Sequence, residues 1–87
     1  MSPSPVQTRS SLLVRRRIAT YFTGGIDQIP CLVEAQRGHR VHDLSVDVRD
    51  GVRESSMVCA VLVADGEIEP LLERLRGLTA VVSAELV

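Results

Sequence analysis

The residues of this chain best placed to touch a small molecule are Thr23-Gly24-Gly25-Ile26-Asp27. Paired glycines let the backbone pass close to a ligand. If a helix starts just after them, its free N–H groups and positive dipole end suit a carboxylate. A plain tight turn would need the same residues, so the loop alone leaves both uses open. Three other groups could carry chemistry. Arg15-Arg16-Arg17 is a short basic run, His39 and His42 are near neighbours, and Cys31 and Cys59 are the only cysteines.

None of these three groups completes a known kind of site. Alternation along a strand sends Arg15 and Arg17 to one face and Arg16 to the other, which dilutes the positive patch. An RNA-binding sheet would also stack bases on aromatic side chains, and Tyr21 and Phe22 are the only aromatics. His39 and His42 have no cysteine or carboxylate partners at ligand spacing, so they read as rim histidines rather than a metal pair. The cysteines form no C-x-x-C pattern and sit inside apolar runs, as expected of buried, reduced thiols in a cytoplasmic protein. No metal or cofactor is expected.

Charge and composition narrow the class further. Ten arginines stand against eleven carboxylates, for a net charge of −1, which provides no field for nucleic acid or an anionic membrane. No apolar run approaches the ~18 residues of a membrane span. The 87 residues suffice for one domain, with an aliphatic core because aromatics are only 2%. Residues 1–11 are rich in Ser and Pro and lack the apolar stretch of a signal peptide, so they read as a disordered lead-in before a domain over 12–87.

The elements that must position the loop follow from periodicity. Leu12 to Phe22 is a first strand, ended by Thr23-Gly24-Gly25. A helix then starts with Asp27 as its N-cap, Ile26 packed back as the apolar residue before the cap, and Pro30 in the first turn. Ile29, Leu32 and Val33 form its buried stripe, Glu34, Gln36 and Arg37 face water, and Gly38 stops it. Val41 to Val48 is a second strand with Leu44, Val46 and Val48 alternating, and Arg49-Asp50-Gly51 supplies a hairpin turn. Ser56 to Ala64 is apolar enough for a central strand. Ile68, Leu71, Leu72, Leu75 and Leu78 make the wide face of a second helix, and Ala80 to Val87 closes as a fourth strand. The order β-α-β-β-α-β predicts an α+β fold of the ferredoxin-like kind, a four-stranded antiparallel sheet with two helices on one face.

Two chemistries known on such folds are absent from the sequence. Acylphosphatase-like catalysis pairs arginine with asparagine, and this chain has no asparagine. Metallochaperones carry paired cysteines after the first strand, where Cys31 stands alone.

From Leu13 to Val87 the chain resembles an ACT domain, above all the small regulatory subunit of acetolactate synthase in its short form. Gln36-Arg37-Gly38-His39-Arg40-Val41-His42-Asp43-Leu44-Ser45-Val46 is similar to the family's R-G-[YF]-x-I-x-S-L-x-V passage. Glu69 to Val81 is similar to its second helix and exit, and the glycine loop lies at the family's ligand loop. The resemblance implies a homodimer with an amino-acid effector at its interface, docked on an acetolactate synthase-like catalytic subunit of branched-chain amino-acid biosynthesis. It implies effector contacts from Thr23, Gly24 or Gly25, Ile26, Asp27, Arg40 and Val41, and no catalytic residue. Where the family has asparagines, this chain has Tyr21 or Phe22, and Arg40. A free-standing amino-acid sensor and a purely structural dimerisation module are the alternatives.

Overall fold

The computed structural model describes residues 12–49 and 54–87; the expected lead-in over 1–11 and the Asp50-Gly51 turn lie outside the described residues. The strands are β1 (Leu13–Phe22), β2 (Arg40–Asp47), β3 (Ser55–Ala64) and β4 (Val81–Leu86), and the helices are α1 (Ile29–Glu34) and α2 (Ile68–Arg76). The strands form one sheet in the order β2-β3-β1-β4, with every neighbouring pair antiparallel. This is the α+β pattern expected from the sequence and is compatible with a ferredoxin-like fold.

β1 and β3 are the spine. They pair over their full lengths, Leu13 opposite Ala64 through Phe22 opposite Ser55. Alternation puts Ile18 and Phe22 of β1, and Met57, Cys59, Val61 and Val63 of β3, on the helix side, where all are buried. Leu71, Leu72 and Leu75 of α2 close on this layer, matching the spacing read from the sequence. Arg15 and Arg17 stand on the opposite, open face, and Arg16 on the helix side, as the strand period requires. A reciprocal turn joins β3 to α2. The Ala64 N–H donates to Glu67 Oε1 at 2.9 Å, and the Glu67 N–H donates to the Ala64 carbonyl at 3.0 Å.

The first helix differs from expectation. Gly24 and Gly25 take φ of 101° and 77°, open to glycine at little cost, and wind the chain into a 3₁₀ turn over Gly25–Gln28. Asp27 therefore lies inside that turn and caps nothing. α1 begins only at Ile29, with Gln28 at the cap position and no side-chain cap bond. Ile26 is 70% exposed and does not pack back. Val33 also faces outward, whereas Gln36 is buried. Because α1 stops at Glu34, Gln36 sits in the following turn and points inward. Its amide donates to the Leu32 carbonyl at 3.2 Å and its Oε1 accepts from the Cys59 thiol at 3.3 Å.

β2 differs as well. Its register with β3 shifts between His42 and Ser45, and Asp43 there has φ of 54°, a bulge that sets Asp43 and Leu44 against a single residue of β3. Leu44, Val46 and Val48 keep their alternation but remain exposed, because the six-residue α1 is too short to cover them. Only Val41 of this strand packs on the core.

Candidate functional site

The glycine loop forms one wall of a depression of about 410 Å³ at the C-terminal end of β1, lined by Thr23, Gly24, Gln28, Cys31, Leu78, Thr79 and Ala80. Its volume falls in the ~300–1,000 Å³ range usual for small-ligand sites. The turn before β4 is the other wall. The two walls are tied by the Thr23 N–H, which donates to the Ala80 carbonyl at 2.9 Å, and by the Thr23 hydroxyl, which reaches the same oxygen at 3.4 Å.

The lining holds the Gln28 side-chain amide, the Thr23 and Thr79 hydroxyls and the Cys31 thiol beside the aliphatic surface of Leu78 and Ala80, and no carboxylate or guanidinium side chain. Such a surface suits a small molecule of zero net charge with an apolar side chain. The two glycines differ in their surroundings. A Cβ on Gly24 would meet Gln28 Cγ at 2.9 Å, inside the depression's wall, whereas a Cβ on Gly25 would approach only Val48, at 4.0 Å. Of the two aligned alternatives, Gly24 is the one lining the depression.

The seven residues singled out from sequence are therefore only partly together. Thr23 and Gly24 line the depression, and Gly25, Ile26 and Asp27 continue from it into the 3₁₀ turn. Arg40 and Val41 lie elsewhere. Arg40 is opposite Leu62, which is opposite Arg15, so it stands seven residues along the sheet from Phe22, roughly 23 Å at the usual strand rise. Within one chain these two do not meet the loop. Sequence reasoning missed Gln28, Cys31, Leu78, Thr79 and Ala80 as lining residues.

A second depression of about 580 Å³ lies between the helices, lined by Pro30, Cys31, Glu34, Ala35, Arg74 and Leu78. It shares Cys31 and Leu78 with the first. Arg74 closes one end by donating to the Ala35 carbonyl at 3.1 Å. Cys31 is exposed, against the expectation of two buried thiols, because α1 turns its neighbour Leu32 to the core instead. Cys59 is buried and free, and burial pushes its thiol pKa up.

His39 and His42 are half-buried. Among the described residues no group of three or more His, Cys, Asp or Glu could hold a metal ion, and no helix is long and apolar enough to cross a membrane. Arg15 pairs with Asp43 over the open face, spanning β3.

Comparison with models of known protein families found none that matches the chain, and comparison with curated proteins found no match.

Proposed function

We propose that the chain is a non-catalytic regulatory module that forms a homodimer and docks on an acetolactate synthase-like catalytic subunit of branched-chain amino-acid biosynthesis. An amino-acid effector is held at the glycine loop. The proposal draws on the resemblance of residues 13–87 to ACT domains and on the β-α-β-β-α-β order. The observation that carries it is the depression at Thr23 and Gly24, whose uncharged polar groups and aliphatic wall suit a zwitterionic amino acid with an apolar side chain. The balanced charge and reduced cysteines fit a cytoplasmic setting.

A thermal melt against a panel of amino acids tests the effector. A ligand at a hundred times its dissociation constant adds about 2.7 kcal/mol, which for a domain this size is on the order of 10 °C in the midpoint. Valine, leucine or isoleucine is expected to produce such a rise. In Gly24→Ala the added Cβ crowds Gln28, so the midpoint falls without ligand and the ligand shift disappears. A flat panel, or a shift retained in the variant, would remove this loop as the effector site.

A further inference from the structure

The two depressions lie back to back. Cys31 and Leu78 line both, and no other residue is shared between them. Leu78 sits in the turn after α2. Its N–H donates to the Leu75 carbonyl and its carbonyl accepts from the Val81 N–H, both at 3.1 Å. With its main chain held on both sides and its half-buried side chain packed against the core, Leu78 is a fixed wall. Cys31, in the first turn of α1, faces it with a side chain of one sulfur beyond Cβ.

Polar groups are found at one end only. Thr23, Gln28 and Thr79 line the depression at the glycine loop and not the second one. The second depression has two charged groups on its wall, and both are already engaged within the fold. Glu34 pairs with Arg37 at 2.9 Å, and Arg74 donates to the Ala35 carbonyl. Neither requires a counter-ion from a ligand. The remaining wall is Pro30, Cys31, Ala35 and Leu78. Water against such a surface has few hydrogen-bonding partners, so an apolar group that displaces it gains free energy on entering.

We infer that the two depressions form one elongated site, in which the head of an amino acid rests at Thr23 and Gly24 and a long apolar side chain passes between Cys31 and Leu78 into the space between the helices. The inference rests on the effector reading proposed above and narrows the ligand class. A side chain that lies on Leu78 and leads away from Ala80 must pass Cys31 to continue, because only these two residues border both spaces. Valine branches at Cβ and ends at Cγ, so it stays in the first depression. Leucine and methionine carry their apolar atoms further from the head and reach the second. Their advantage is the extra apolar surface removed from water there. Cys31, small and at the junction, is the residue that leaves the passage open.

Thermal titration of the full chain with valine, leucine and methionine tests the inference. Leucine and methionine are expected to bind roughly tenfold tighter than valine, the low end for one more methylene in an apolar pocket. Ala35 lines only the second depression, and Ala35→Val, which narrows it, is expected to bring both down to the affinity of valine. A second measurement uses the wild-type chain alone. Cys31 is exposed, whereas Cys59 is buried with its thiol pKa raised, so N-ethylmaleimide reacts first at Cys31. Saturating leucine is expected to slow that reaction several-fold. Equal affinities for valine and leucine, a preference that survives Ala35→Val, or alkylation that leucine leaves unslowed would overturn the second depression as part of the site. Each of these leaves an effector at the glycine loop standing. A panel in which no amino acid moves the midpoint overturns both.

Discussion

Thr20 is fully buried on the helix side of β1, between Met57 of β3 and Ala84 of β4, and its hydroxyl has no hydrogen-bond partner. A buried hydroxyl without a partner costs stability, and a methyl of the same shape does not. Thr20→Val is therefore expected to stabilise the fold by ~1 kcal/mol, read as a higher urea midpoint with unchanged slope. A destabilisation of that size would show that the hydroxyl is satisfied after all. Gln36 is the opposite case, a buried amide bonded at both ends by Leu32 and Cys59. Neither residue betrays its environment in the sequence. Thr20 reads as an ordinary strand threonine, and Gln36 reads as the solvent side of a helix that in fact ends at Glu34.

α2 shows what periodicity can deliver. Its apolar positions recur over two turns with nothing to interrupt them, and Leu71, Leu72 and Leu75 are buried as that spacing requires. Leu75→Ala should cost ~2–5 kcal/mol by leaving a core cavity. A loss under ~0.5 kcal/mol, the level of an ordinary surface change, would contradict the packing described. β2 shows the limit. Alternation identified Leu44, Val46 and Val48 as one face, but whether a helix covers that face depends on the length of α1. The 3₁₀ turn at Gly25–Gln28 shortened that helix, which no local propensity revealed. The depression was half legible for a related reason. Thr23 and Gly24 announce themselves as a loop, whereas Thr79 and Ala80 reach it only because β4 pairs with β1, so that Thr23 bonds Ala80 across 57 residues of chain.

At the scale of the molecule, the fold is a single four-stranded sheet with two helices. Domains of this size also gain much of their stability from association. The depression lies at the end of the sheet, where the loop after β1 meets the turn before β4, so a ligand there contacts both and reaches the core through Leu78. That arrangement suits a module that senses a small molecule and passes the signal to a partner. The most direct test of the central claim is reconstitution with the acetolactate synthase catalytic subunit of the same organism. Its rate would be measured as the chain is titrated in, with and without valine, leucine and isoleucine. The account predicts a saturable change in rate that tracks complex formation and is reversed or diminished by one of the amino acids. No complex, and a rate indifferent to the chain at every ratio, would contradict it.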